Sequence, residues 1–187
     1  NQTFEGLALL SDGRTLVASM EGALAGDGSD VRRLQTWQRD RHGEFRPAAQ
    51  YALRADAGLT VSDLAATPDG RLIVVERGFT AGVGNTVRVQ LVDLRHASDV
   101  RDVEYVDGTS DVRFVRESLL TDVAACPSLG ATSEQPQPNP LLVNIEAATV
   151  TGQTRDGRIR LLLVSDDNGN DTQKTRLYEL VSRLPRR

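Results

Sequence analysis

Ser62-Asp63-Leu64-Ala65-Ala66-Thr67-Pro68-Asp69-Gly70-Arg71-Leu72-Ile73-Val74-Val75-Glu76 sets two apolar runs back to back across an Asp-Gly dipeptide, with an acid near each outer end. Two more stretches follow the same plan. Phe4-Glu5-Gly6-Leu7-Ala8 runs through Asp12-Gly13-Arg14 to Glu21, and Ile145-Glu146-Ala147-Ala148 runs through Asp156-Gly157-Arg158 to Ser165-Asp166-Asp167. Asp-Gly between apolar runs is a strong hairpin signal, and the two-residue turn it suits needs positive φ at both positions. Counting outward from such turns sets Asp63 opposite Glu76 and Glu146 opposite Asp167, while Glu5 misses Glu21 by one residue. Repelling carboxylates at a hairpin's open end destabilise it unless a cation or a donor compensates them. The pattern therefore points to bound metal.

The 187 residues are enough for one domain, and 39% apolar content supplies a core. Val, Leu and Ala in short runs favour many small strands, so an all-β fold is expected. A net charge of −4 without basic patches argues against nucleic acid and for a cationic ligand. Cys126 is the sole cysteine, which excludes an intrachain disulfide and a CxxC site, and it reads as a small buried apolar residue. No run reaches the ~20 apolar residues of a membrane helix. No charged-then-apolar stretch stands at Asn1 and the sequence opens already inside the first repeat, so a processed or truncated chain is expected.

Further strand-like runs cover residues 33–38, 45–53, 87–94, 103–106 and 176–181. Residues 111–125 suit either a helical face or a strand, with strand favoured, and the proline-punctuated residues 128–140 read as an exposed loop. Intervals of about 58 and about 83 residues between the acidic hairpins exceed the ~40–50 residues of a propeller blade, which leaves room for insertions. A β-propeller explains the repeat, because the inner strand of each blade directs the same end to a shared axial mouth. The length corresponds to about four blades, complete in themselves or part of a ring of about six. Residues 1–187 form one such domain, lacking N-terminal blades on the second reading.

Calcium takes six to eight oxygen ligands. The candidate metal-facing residues are Glu5, Glu21, Glu76, Glu146, Asp166 and Asp167, with Asp63 and Asn168 in support. A single strand-end acid is ordinarily just solvated, but three paired recurrences favour a site. Asp166-Asp167-Asn168-Gly169-Asn170-Asp171 is no EF-hand, since Leu177 stands where the bidentate Glu belongs. Arg77 either grips phosphate with its planar fork or neutralises Glu76. His42 and His96 read as surface residues, Trp37 and Tyr51 as packing residues, and no Gly-x-Ser-x-Gly elbow exists. Asn1-Gln2-Thr3 and Asn170-Asp171-Thr172 match glycosylation sequons but are discounted.

Phe4-Glu5-Gly6-Leu7-Ala8, Asp12-Gly13-Arg14-Thr15-Leu16, Val75-Glu76-Arg77-Gly78, Asn144-Ile145-Glu146-Ala147 and Leu163-Val164-Ser165-Asp166-Asp167-Asn168 together resemble the phytase-like family ("esterase-like activity of phytase") of secreted bacterial proteins. The resemblance implies a propeller, a secreted or periplasmic location and a calcium-dependent phosphomonoesterase acting on a small phosphorylated substrate. Glu76, Arg77 and Glu146 are then the catalytic candidates. Glu146-Ala147 departs from the family's usual Glu-Gly, and further N-terminal blades are expected ahead of Asn1. The competing expectation is a non-catalytic propeller, a binding module or a degenerate relative, whose calcium is structural.

Overall fold

A computed structural model describes residues 2–109 and 111–186. Asn1, in one of the sequons, lies outside the described residues. Among them, eleven strands form three antiparallel sheets. The first sheet holds β1 (Phe4–Leu9), β2 (Thr15–Met20), β3 (Val31–Arg39) and β4 (Phe45–Arg54) in chain order. The second holds β5 (Thr60–Ala66), β6 (Leu72–Thr80), β7 (Gly84–Asp93) and β8 (Arg116–Asp122), and the third holds β9 (Ile145–Gln153), β10 (Ile159–Ser165) and β11 (Leu177–Ser182). The all-β expectation holds, with three sheets where about four blades were expected, and no sheet closes on itself.

The middle sheet is covered on both faces. Leu72 and Val74 of β6 pack with Val17, Leu34 and Leu53 of the first sheet, whereas Ile73 and Val75 pack with Ile145, Ile159, Leu161 and Leu163 of the third. A strand's side chains alternate, so a strand sealed on both faces must read as an unbroken apolar run, as Leu72-Ile73-Val74-Val75 does.

The Asp-Gly turns form differently from the two-residue expectation. Only the glycines take left-handed backbone, with φ of 65° at Gly13, 81° at Gly70 and 80° at Gly157. The aspartates stay at negative φ and use their carboxylates to close the loop. Asp12 Oδ1 accepts from the amides of Arg14 and Thr15 (2.8 and 2.9 Å), and Asp69 Oδ1 accepts from Thr67 Oγ1 (2.7 Å). Around Asp69, Thr67 and Arg71 form the first bonded pair, which makes a longer loop ending in a left-handed glycine.

Registers shift accordingly. Asp63 pairs with Val75 and Val61 with Glu76, so Asp63 and Glu76 are not opposite. Ala147 pairs with Val164 and Ile145 with Ser165, so Glu146 does not face Asp167, and Glu5 pairs with Ser19. At each acidic position the inner strand is bulged: between Glu5 and Leu7, between Val61 and Asp63, and between Ile145 and Ala147. A bulge re-aims the side chains beside it.

Residues 103–106 are not a strand. Val100 and Val106 cover Val31 and Ala52, and the Val106 amide bonds the Asp27 carboxylate (2.8 Å), which is itself held by Arg33 (2.7 Å). Of residues 111–125, 116–122 form β8, followed by a 3-10 turn at Val123–Ala125, and residues 128–140 form an irregular loop. Cys126 is half-buried, not buried. Trp37 packs on Phe4 with ring centroids 6.1 Å apart, and His42 and His96 are exposed.

Gly6 in β1 lies against β5. A Cβ there would stand 2.6 Å from the Leu64 amide nitrogen and 2.9 Å from the Asp63 Cα, at a φ of 76°. Gly13 has a similar φ but open space around it. Gly6→Ala should therefore cost about 3 kcal/mol in denaturant unfolding and Gly13→Ala only about 1 kcal/mol. Equal losses would show that the close approach of β1 to β5 contributes nothing.

Candidate functional site

The first strands of the three sheets, β1, β5 and β9, lie side by side and line a trough of about 280 Å³ through residues 7–9, 64–66 and 148–150. The bulged acids stand at one end of it. Asp63, on β5, reaches across to β9, where its Oδ2 accepts from the Ala148 amide (2.7 Å), and its Oδ1 accepts from the Leu64 amide (2.8 Å). Burial nevertheless raises its pKa above the ordinary carboxylate value.

Arg77 leaves β6 toward the third sheet and meets Glu146 with two donors, Nη2 at 2.9 Å from Oε1 and Nε at 3.1 Å from Oε2. The same Nη2 is 3.9 Å from Glu21 Oε1. Glu146 also accepts from Asn144 Nδ2 (2.5 Å). Glu5 completes the group. Desolvation first, then repulsion from Glu21 and Glu146, raises its pKa, and Arg77 only partly offsets this. The carboxylates of Glu5, Glu21 and Glu146 thus lie about one guanidinium and outnumber it. Arg77 pairs with Glu146 and Glu21, and not with Glu76 as one reading expected.

Glu76 departs on the opposite side of β6. It is fully buried, and its Oε2 lies 3.4 Å from the Asp56 amide and 3.5 Å from Gln90 Nε2, with no hydrogen-bond partner for Oε1 among the described residues. Burial, then Asp56, raises its pKa, and Arg32 opposes the shift. Nearby, Glu117 accepts from the Arg54 amide (3.0 Å) and is pushed up to about 7 by burial and by Glu76 and Asp56. Arg88 holds Asp56 at 2.6 Å. This second cluster joins the first sheet to the second. Asp56, Glu117, Arg88 and Arg32 carried no local motif, since only docking of the two sheets brings them together.

Asp166, Asp167 and Asn168 stand in the loop after β10, at the same end of the third sheet as Glu146, because the Asp166 amide bonds the Asn144 carbonyl (2.9 Å). Their carboxylates close local turns, Asp166 Oδ1 on the Asn168 amide (3.0 Å) and Asp167 Oδ1 on the Gly169 amide (2.9 Å). Among the described residues, no three His, Cys, Asp or Glu stand close enough to share one metal ion. Apart from Arg77, the charged side chains at the trough end are oxygen donors with negative charge in excess, the ligand type that a hard cation such as calcium takes.

An all-β chain of three side-by-side meanders with an acidic, arginine-bridged mouth defines a class of architecture more than an activity. The family model described as "Phytase-like: Esterase-like activity of phytase" matches residues 1–169, and the chain belongs to that family. No curated protein and no solved structure matches it. No helix of the described residues is long and apolar enough to cross a membrane.

Folding lifts Glu117 from 4.5 to about 7, so the folded state keeps a proton that the unfolded chain has released. Its stabilising contribution is complete below pH ~4.5 and is lost as pH rises to about 7. Glu117→Gln should flatten melting temperature against pH across that window and raise it by a few degrees at pH 8. Superposable curves for variant and parent would mean that Glu117 is ionised and solvated when folded.

Proposed function

We propose that this chain is the carboxylate-bearing part of a calcium-dependent phosphate-ester hydrolase whose three meanders are successive blades of a propeller. The observation that carries the proposal is the meeting of Glu5, Glu21 and Glu146 about Arg77, with Asp63 near enough to Glu5 to add to its repulsion. Glu5, Glu21 and Glu146, which in the present geometry are not close enough to share one ion, would have to draw together to hold the calcium, with Asp63 positioning β5 against β9 and with Asp166, Asp167 and Asn168 at the rim. Bound there, calcium would offset phosphate charge and acidify a water. Arg77 exchanges Glu146 for two oxygens of the phosphate, for which its planar fork is matched. Glu146, released from the guanidinium, becomes available as a ligand.

A second reading is a non-catalytic module with structural calcium. It is favoured by the two-donor closure of Arg77 on Glu146, which already satisfies both groups. Calcium should raise the melting temperature of the parent by several degrees at saturation. Glu5→Gln and Glu146→Gln should remove most of that rise, while Glu134→Gln, in the exposed loop, should not. Para-nitrophenyl phosphate turnover that stops with chelator and falls at least ~100-fold in Arg77→Met supports the hydrolase. A calcium-dependent melt without turnover supports the module, and a melt indifferent to calcium rejects both.

A further inference from the structure

A second cavity, lined by none of the residues of the acidic mouth, lies between the segment after β8 and the edge strand β11. It measures about 380 Å³ and is walled by Val123, Pro127, Leu141, Tyr178 and Leu180. This is within the size range of small-molecule sites, which are mostly apolar with a few placed polar groups. Its frame is held in place from below. Buried Asn139 donates to the Cys126 carbonyl (2.7 Å), Tyr178 Oη donates to the Leu141 carbonyl (2.5 Å), and Arg176 Nη1 donates to the Pro140 carbonyl (2.9 Å). These bonds use backbone carbonyls of the loop, so the cavity does not depend on a ligand to exist.

Two features point to an occupant. Leu129 and Leu177, both on the lining, are 85% and 70% exposed, and Leu129 keeps a left-handed backbone with φ of 52°. A leucine rarely adopts that conformation without compensation. Arg176 is the lining's only cation and forms no salt bridge among the described residues, while Glu179 beside it is taken by Arg160 at 2.6 Å. One guanidinium donor serves Pro140 and the fork also hydrogen-bonds the Tyr178 hydroxyl, which leaves further donors among its five N–H groups.

We infer that this cavity binds an amphiphilic organic anion, its apolar body against Leu141, Tyr178 and Leu180 and its carboxylate or phosphate head on Arg176. Octanoate and octanol share a body and differ in the head, so calorimetric titration of the two isolates the charge. Octanoate should bind at least ~10-fold tighter than octanol, as expected for a hydrogen bond to a charged group. Arg176→Gln should abolish that preference, so that octanoate binds the variant no tighter than octanol does. Cys126, the only cysteine and part of the cavity wall, reports the location: octanoate should slow its alkylation by iodoacetamide. The inference is overturned if octanoate gives no heat, if octanol binds equally well, or if binding survives Arg176→Gln with Cys126 alkylated at an unchanged rate. Arg176→Lys, which keeps the charge, should retain part of the preference, and its melting temperature checks that the loop frame is intact.

Discussion

β6 is sealed on both faces, and the two-residue period of a strand then dictates where everything beyond its apolar run must go. Leu72 and Val74 enter the core shared with the first sheet, and Ile73 and Val75 the core shared with the third. The next two residues inherit those directions. Glu76 is driven into the interior beside Arg32 and Asp56, and Arg77 is delivered to Glu146. Two charges adjacent in sequence thus serve two different clusters, one buried between sheets and one at the mouth of the trough.

Charge at that mouth is gathered at an energetic cost. Glu5, Glu21, Asp63 and Glu146 are held within mutual influence by strands whose positions are set by hydrophobic packing, and Arg77 neutralises only part of the sum. Such an arrangement is stable only while the cores beneath it outweigh the repulsion. Gly6 makes the gathering possible, because any side chain at that point of β1 would strike the backbone of β5. The close approach of the inner strands and the crowding of acids are therefore one structural decision. The cavity beside Arg176 is independent of it, since hydrogen bonds from Asn139, Tyr178 and Arg176 to the loop frame it at the outer side of the third sheet.

Much of the strand plan was legible in the chain. Apolar runs on either side of Asp12-Gly13, Asp69-Gly70 and Asp156-Gly157 became the hairpins β1–β2, β5–β6 and β9–β10. Their registers were not legible. An Asp-Gly pair serves a two-residue turn or a longer loop ending in a left-handed glycine, and these differ by one residue in every pairing that follows. Nor could bulges at Gly6, Ser62 and Glu146 be read, because an extra residue in a strand leaves no compositional mark. Recurrence suggested one site of Glu5, Glu21, Asp63, Glu76, Glu146, Asp166, Asp167 and Asn168, whereas Glu5 has Glu21, Asp63 and Glu146 near it and Glu76 lies in a separate buried cluster. The partnership of Arg77 with Glu146 and the Asp56–Glu76–Glu117 cluster were not anticipated.

What the sequence determined by itself was local: which segments extend, where glycine allows the chain to turn, and which stretch, Leu72-Ile73-Val74-Val75, had to be buried twice. Those properties follow from side-chain alternation and backbone sterics within a few residues. Tertiary structure decided which acids meet, which cation they meet, and which carboxyls burial and neighbouring acids shift upward, Glu117 to about 7. Electrostatic energies depend on distance and desolvation between groups tens of residues apart, and those quantities come into being only when the sheets dock.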